Sequence, residues 1–145
     1  MKISTKGRYA LRVMADLALH DAESPVPLRD IAARQEITVK YLEQIIPLLS
    51  KAGMVRATRG NAGGYRLTKT PAEYCVGDIL RVTEGSLAPI ACLEDKGNLC
   101  PRSRDCLTLP FWTGLQEVID RYVDNVTLQE IIDQAGTNAY ADWCI

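Results

Sequence analysis

The sequence predicts a mainly α-helical chain with one small β-hairpin. Apolar residues recur at intervals of three and four over most of its 145 residues, which is the spacing of helices with one buried face. Two short predicted strands flank the glycine-rich stretch RGNAGG at residues 59–64, a pattern typical of a hairpin. Two short helices joined by a tight link precede it. Together these features predict a winged helix-turn-helix domain, followed by a long helix suited to dimerisation.

Each element of the winged domain has its own local signal. The first helix carries an apolar stripe of Ala10, Val13, Met14, Leu17 and Ala18. The second is predicted in VPLRDIAARQ with Pro27 at its first helical position, and Thr38 is predicted to cap the third. Because Pro47 removes a backbone hydrogen bond inside the third helix, we expect a bend or a frayed last turn there. The strands are predicted in MVRAT and YRL.

The rest of the chain predicts three more helices and a loop. A fourth helix ends at Gly85, and a last helix begins with the capping box of Thr127 and Glu130. Between them lies a long helix with the apolar stripe Phe111, Leu115, Val118, Ile119, Tyr122 and Val126. Its commonest partner is its own copy, which predicts a homodimer; packing against its own core is the alternative. The predicted units are a winged domain (1–75), a connecting helix and loop (76–91), a cysteine loop (92–106), a dimerisation helix (107–126), and a C-terminal helix and tail (127–145).

Charge is unevenly distributed along the chain. Residues 1–70 carry 12 Lys and Arg against 6 Asp and Glu, a net +6, whereas residues 71–145 carry 5 against 12, a net −7. A basic half joined to an acidic half is typical of a DNA-binding module fused to a module of another kind, although solvated charged faces also produce asymmetry. No apolar run approaches 18 residues, so we expect a cytoplasmic protein with no membrane partner. Little favours an enzyme, since no histidine accompanies a nucleophile and no cofactor loop is evident.

The predicted third helix would enter the major groove of double-stranded DNA. There Gln44 can pair with adenine, Glu43 can accept from cytosine, and Lys40 can reach guanine or phosphate. Arg59, at the hairpin tip, suits a narrow minor groove. The candidate contacts are Lys2, Ser4, Lys6, Arg8, Thr38, Val39, Lys40, Tyr41, Glu43, Gln44, Arg56, Arg59, Gly60 and Tyr65, with Arg66 as a further phosphate contact. The alternative is that these are ordinary solvent-facing positions.

Three of the five cysteines, Cys92, Cys100 and Cys106, lie close together between the winged domain and the long helix. Their C-x7-C-x5-C spacing lacks the close pairs of zinc sites and suits an iron-sulfur cluster that has a fourth, non-cysteine ligand. Arg102 and Arg104 would favour thiolates and offset a negative cluster. The same features suit a redox switch made of thiols alone, and inert cysteines are the third possibility.

Three blocks of the sequence resemble one family. The opening MKISTKGRYALRVMADLAL, the block YLEQIIPLLSKAGMVRATRGNAGGYRL and the later VGDILRVTEG are similar to the IscR-type winged-helix regulators, bacterial dimeric repressors that include sensors of iron-sulfur clusters, nitric oxide and cysteine supply. The resemblance covers nearly all of residues 1–134. It implies a homodimer on a pseudo-palindromic operator and control of iron-sulfur biogenesis genes. It also implies a [2Fe-2S] cluster, or alternatively [4Fe-4S], held by Cys92, Cys100 and Cys106.

One departure from the family pattern concerns the fourth ligand. The family carries a histidine in CLTH after the last cysteine, whereas this chain reads CLTL, with Leu109 there. The single histidine, His20, lies on the first helix and is more typical of a packing or surface residue. The fourth ligand stays open among Glu43, Glu94, Asp95, Asp105, Thr108, Cys75, Cys144 and a small molecule.

The tail Trp143-Cys144-Ile145 is similar to that of the cysteine-metabolism regulators of the family, whose partner is a cysteine synthase. This similarity implies an alternative function, the regulation of cysteine or sulfur metabolism through a thiol switch or through that enzyme. Packing of Trp143 against the dimer is the simpler explanation of the tail.

Overall fold

The computed structural model describes residues 2–94 and 100–136. It confirms the mainly helical fold with a small two-stranded sheet and a winged helix-turn-helix arrangement. The elements are α1 (Thr5–His20), α2 (Leu28–Gln35), α3 (Val39–Lys51), β1 (Val55–Thr58), β2 (Gly64–Leu67), α4 (Val76–Glu84), α5 (Leu109–Asn125) and α6 (Leu128–Gly136), with 3-10 turns at Pro71–Glu73 and Ala91–Leu93. None of the described helices is both long and apolar enough to cross a membrane.

The main core is built around α1. Its predicted stripe is buried, with Ala10, Val13, Met14 and Leu17 fully inaccessible to solvent. The stripe packs against apolar residues from α2, α3, α4 and α6, namely Ile31, Leu42, Ile45, Leu49, Ile79 and Leu128. Burial of this many large side chains, each contributing about 1.5–3 kcal/mol, fixes α3 and α4 against α1.

The helix pair α2 and α3 follows the prediction except at the start of α2 and the end of α3. Pro27 has extended backbone angles and precedes the first helical residue, so its predicted place inside α2 is wrong by one position. Thr38 caps α3 as predicted, since its hydroxyl accepts from the Tyr41 amide over 3.2 Å. The last turn of α3 is not frayed. Beyond Pro47 it closes through hydrogen bonds to Leu49 and Ser50, with Gly53 in the left-handed region that this C-cap requires.

The hairpin pairs Val55 with Leu67 and Thr58 with Gly64. Its outer edge is joined to the segment before α2, because Val26 and Tyr65 exchange backbone hydrogen bonds of 2.9 and 2.8 Å. This approach is close enough that a Cβ on Gly64 would overlap the Val26 backbone. The wing is therefore attached to the segment before α2 at Tyr65.

A buried tyrosine closes the base of the wing. The Tyr74 hydroxyl donates to the Met54 carbonyl over 2.8 Å and accepts from the Thr68 and Lys69 amides over 3.0 and 2.9 Å. The ring is only 3% exposed. One side chain thus ties the start of β1 to the end of β2.

The long helix α5 packs with one face only. Ile119 and Val123 belong to a second apolar cluster with Leu80 of α4. On the other face, Phe111, Val118 and Tyr122 are 66%, 57% and 71% exposed. The chain's own core therefore accounts for half of the apolar stripe predicted for this helix.

Candidate nucleic-acid interface and cysteine loop

The first turns of α3 present a polar surface to solvent. Lys40, Glu43 and Gln44 are exposed, as are Thr38 and Val39 at the start of the helix, while Leu42 and Ile45 point into the core. Tyr41 is half-buried because its ring packs edge-on against Tyr9 at 5.4 Å between centroids. This separation of faces leaves the major-groove candidates available to a ligand, with Tyr41 the least accessible of them.

The wing presents its candidates unequally. Arg56, Arg59 and Gly60 are exposed, whereas Tyr65 is half-buried and packs partly against the main core. Arg66 turns back into the molecule, where its Nη2 donates to the carbonyls of Asp21 and Ala22 over 2.7 and 3.2 Å. Its guanidinium therefore holds the α1–α2 connection, which differs from the phosphate contact predicted for it.

The N-terminal candidates flank the start of α1. Lys2 and Arg8 are exposed and Lys6 is half-buried. Ser4 is the N-cap residue of α1, and its hydroxyl donates to Glu84 Oε1 over 2.6 Å. Its side chain is therefore already engaged within the chain. The sequence offered no sign of this partner, since Glu84 lies 80 residues away.

The described cysteines differ in their surroundings. Cys92 lies in the 3-10 turn Ala91–Leu93, and Cys100 follows residues outside the described range; both are half-buried. Cys106 precedes α5, and its Sγ lies 3.5 Å from Thr108 Oγ1. Hydrogen bonds from the Thr108 hydroxyl and from the Thr108 and Leu109 amides lower the pKa of this thiol. Cys75 caps α4 instead, and burial raises its pKa.

The donor chemistry of this loop fits a cluster, but its described geometry does not assemble one. Three thiols are the ligands that iron-sulfur clusters prefer. Within residues 2–94 and 100–136, no three His, Cys, Asp or Glu side chains lie close enough to hold a metal ion. Asp95 and Cys144, two candidates for the fourth ligand, lie outside the described residues, as do Trp143 and Ile145. Binding would require the three thiols to come closer together than they lie in the described residues.

Comparison with known proteins extends the similarity over almost the whole chain. Residues 3–134 match the sequence profile of the Rrf2 family, described as an iron-dependent transcriptional regulator. The HTH-type transcriptional regulator IscR of Serratia proteamaculans (strain 568) is 39% identical over 142 residues, which are 98% of this chain and 85% of that protein.

Two solved structures share the fold. CymR (YrzC), the global cysteine regulator of B. subtilis, is 36% identical with a TM-score of 0.76, and the match covers 92% of this chain and 98% of that one. IscR of T. potens is 39% identical with a TM-score of 0.74, over 93% of this chain and 88% of that one. The similarity thus reaches beyond the winged domain.

Proposed function

This chain belongs to the Rrf2 family of transcriptional regulators, and from that premise we propose that it is a homodimeric repressor whose operator binding depends on an iron-sulfur cluster. The cluster, [2Fe-2S] or alternatively [4Fe-4S], would be held by Cys92, Cys100 and Cys106. Its target genes would be those of iron-sulfur cluster biogenesis.

One observation carries the DNA-binding part of the proposal. The exposed polar face of α3 stands opposite a fully buried apolar face, and Arg59 projects from the wing of the same rigid domain. Gln44 and Glu43 have the donors and acceptors that read base edges in the major groove. Lys2, Lys6, Arg8 and Arg56 would bind phosphates, which makes affinity strongly dependent on salt.

The exposed face of α5 supports the homodimer. Phe111, Val118 and Tyr122 are large apolar residues more than half exposed in a single chain. A second copy related by a two-fold axis would bury all three and set two winged domains on a pseudo-palindromic operator.

Thiol acidity and nearby positive charge support the proposal that the three cysteines hold a cluster. The lowered pKa of Cys106 favours the thiolate that a cluster requires, and Arg102 and Arg104 lie in the same loop. When bound, a cluster supplies bonds that hold three thiolates together and break on oxidation. Thr108 is one candidate for the fourth ligand, and its Oγ1 lies 3.5 Å from Cys106 Sγ. Leu109, where the family pattern has histidine, begins α5 and has no donor atom.

A second candidate function follows from the similarity to CymR, a global cysteine regulator. In that case the low-pKa thiol of Cys106 would itself be the sensor, without a cluster. The cysteine synthase partner implied by the tail remains a prediction.

The test combines spectroscopy with DNA selection. The full chain is purified without oxygen, reconstituted with iron and sulfide, and assayed by visible absorption, by metal analysis, and by binding to a duplex selected from a randomised library. The variant C92A/C100A/C106A should lose iron and alter DNA binding, whereas Ser103→Ala, in the same loop, should retain both.

Each alternative has its own result. A colourless, iron-free protein whose DNA binding is unchanged in the triple variant contradicts the cluster proposal. An iron-free wild-type protein that loses DNA binding when its thiols are oxidised favours the thiol switch, provided that the triple variant keeps its DNA binding under the same oxidation.

A further inference from the structure

We infer that Glu84 is a positioning residue through which the cysteine loop sets the DNA-facing start of α1. The inference rests on the proposed function, because it needs a loop whose state matters for DNA binding. It assigns the coupling between the two regions to one carboxylate.

Glu84 caps α1 from a distant part of the chain. A single oxygen, Oε1, accepts from the Ser4 amide over 3.2 Å, the Ser4 hydroxyl over 2.6 Å and the Gly7 amide over 2.9 Å. The first amides of a helix have no partner inside the helix and carry partial positive charge. A carboxylate that accepts from two of these groups and the N-cap hydroxyl fixes both the position and the direction of the helix start.

The contact between Glu84 and the start of α1 depends on close packing at Gly7. Gly7 is buried, and a Cβ at this position would overlap Glu84 Oε1. The absence of a side chain on Gly7 is therefore what admits the carboxylate. Lys6 and Arg8, both candidate phosphate contacts, are the immediate neighbours of the residue that Glu84 holds.

On its other side, Glu84 leads directly into the cysteine loop. Seven residues separate Glu84 from Cys92, and two of them, Leu87 and Ala88, are 3% and 7% exposed. Leu87 belongs to the same apolar cluster as Ile3, beside the N-cap. Lys2 and Glu94 line one groove between the two segments. The approach to Cys92 is thus packed against the N-terminal segment that precedes α1.

The helix that follows the cysteine loop, α5, is bonded to α4, the helix that carries Glu84. Arg81, one turn before Glu84 on α4, donates to Asp120 and Asp124 of α5 over 2.7 and 2.5 Å. The pKa of Arg81 is raised by these bonds, so the charge persists. Because α5 starts just after Cys106, a movement at either end of the loop acts on α4, and through Glu84 on α1.

The experiment measures coupling as well as affinity. Binding to the library-selected duplex is compared between apo and reconstituted protein for the wild type, Glu84→Gln, Gly7→Ala and the control Glu130→Gln. Glu130 is a matched control because its carboxylate accepts the Thr127 amide and hydroxyl, a similar cap on the remote helix α6. Gly7→Ala removes the Glu84 contact sterically, keeps the charge and raises helix propensity, so a loss of coupling in this variant could not come from a weaker helix.

The quantity compared between variants is the ratio of the DNA affinities of the apo and reconstituted proteins. The wild type and Glu130→Gln should bind DNA with affinities that differ between the two loop states by about fivefold or more, which is the usual scale of coupling between sites. In Glu84→Gln and Gly7→Ala the ratio should fall below about twofold. A purely structural role for Glu84 would lower affinity equally in both states and leave the ratio unchanged, which overturns the inference.

Hydrogen exchange gives a second readout on the apo protein. The amides of residues 7 and 8, corrected for the intrinsic exchange rate of each sequence, should exchange faster in Glu84→Gln and Gly7→Ala than in the wild type or Glu130→Gln. Equal exchange in all four proteins overturns the inference even if DNA is bound. If the wild type binds no selected duplex, the proposed function is refuted instead. That outcome can be told apart from failure of the inference, in which DNA is bound but the ratio of apo to reconstituted affinity is the same in the Glu84 variant and the wild type.

Discussion

Arg34 forms a two-pronged ion pair with Asp16, its Nε and Nη2 donating to the two carboxylate oxygens over 3.0 and 2.7 Å. Gln35 Nε2 donates to the same carboxylate over 2.9 Å. Asp16 is 1% exposed, and it is the buried charge of the described core. Hydrogen bonding to Asp16 raises the pKa of Arg34. The pair therefore fixes the end of α2, and with it the turn that leads to α3.

We expect Arg34→Ala to lower the free energy of unfolding by about 3 kcal/mol, because it leaves the buried Asp16 carboxylate without its ion-pair partner. The loss should fall at the low end of the usual range, since Gln35 still donates to that carboxylate. Urea denaturation followed by circular dichroism measures it. Asp30→Ala is the control, because Asp30 is half-exposed beside Arg29 and should cost less than about 0.5 kcal/mol. Equal stability of the two variants would contradict this account.

We expect Tyr74→Phe to destabilise the wing by about 1–3 kcal/mol, because the Thr68 and Lys69 amides and the Met54 carbonyl lose a shared partner. The same urea titration measures the loss. Tyr122→Phe removes a hydroxyl from a residue that is 71% exposed and should change little. An unaffected Tyr74→Phe protein would mean that water replaces the hydroxyl.

Thiol reactivity should differ between Cys106 and Cys75 in a direction set by their pKa values. A lowered pKa gives more thiolate at a given pH, so Cys106 should react with iodoacetamide at a lower pH midpoint than Cys75, whose pKa is raised. Peptide mass spectrometry of the apo protein gives both rates. Thr108→Val should slow Cys106 and leave Cys75 unchanged; a variant with unaltered Cys106 kinetics would remove Thr108 as the cause.

Val118→Glu should convert the proposed dimer into monomers of 16.0 kDa, because a charge would be placed on the exposed apolar face of α5. Light scattering coupled to gel filtration measures the mass. Val118→Leu keeps the face apolar and should remain dimeric. A dimeric Val118→Glu protein would place the interface elsewhere.

Gln44→Ala and Arg8→Ala should weaken DNA binding in different ways. Loss of a base contact at Gln44 should relax preference at one base pair by about 1–3 kcal/mol. Loss of a phosphate contact at Arg8 should lower affinity for every sequence and reduce the salt slope by about 1. Binding titrations on matched and mismatched duplexes at several salt concentrations separate the two effects. Arg29→Ala, whose side chain is 85% exposed on α2 and is not a candidate contact, should change neither.

Local signals in the sequence predicted the elements well. The Thr38 cap, the stripe of α1 and the glycine-rich hairpin depend on neighbours within four residues, and the structure shows each of them. The prediction at α3 was local as well: Pro47 predicted a bend or a frayed last turn, and the fraying is not found because the Gly53 C-cap closes that turn with its own hydrogen bonds. Spacing along the chain is sufficient information for such features.

Hydrogen bonds between residues far apart in the chain could not be predicted from the sequence, for a physical reason. A serine near the basic N-terminus, or an arginine in the wing, predicts a phosphate contact, and nothing nearby in the sequence shows that a distant group forms hydrogen bonds with it. Ser4 is engaged by Glu84, and Arg66 by the carbonyls of Asp21 and Ala22. The partners depend on how α1, α4 and the wing pack, which single-sequence periodicity does not encode.

The backbone pairing of Val26 with Tyr65 bears on how an operator half-site is spaced. It ties β2 of the wing to the segment that leads into α2, so a change in the separation of Arg59 from Gln44 on α3 would have to work against these two hydrogen bonds. Each base pair rotates the duplex by about one tenth of a turn. Inserting a single base pair between the major-groove and minor-groove elements of a half-site would thus put the two contacts out of phase, and restoring both would strain the pairing of Val26 with Tyr65.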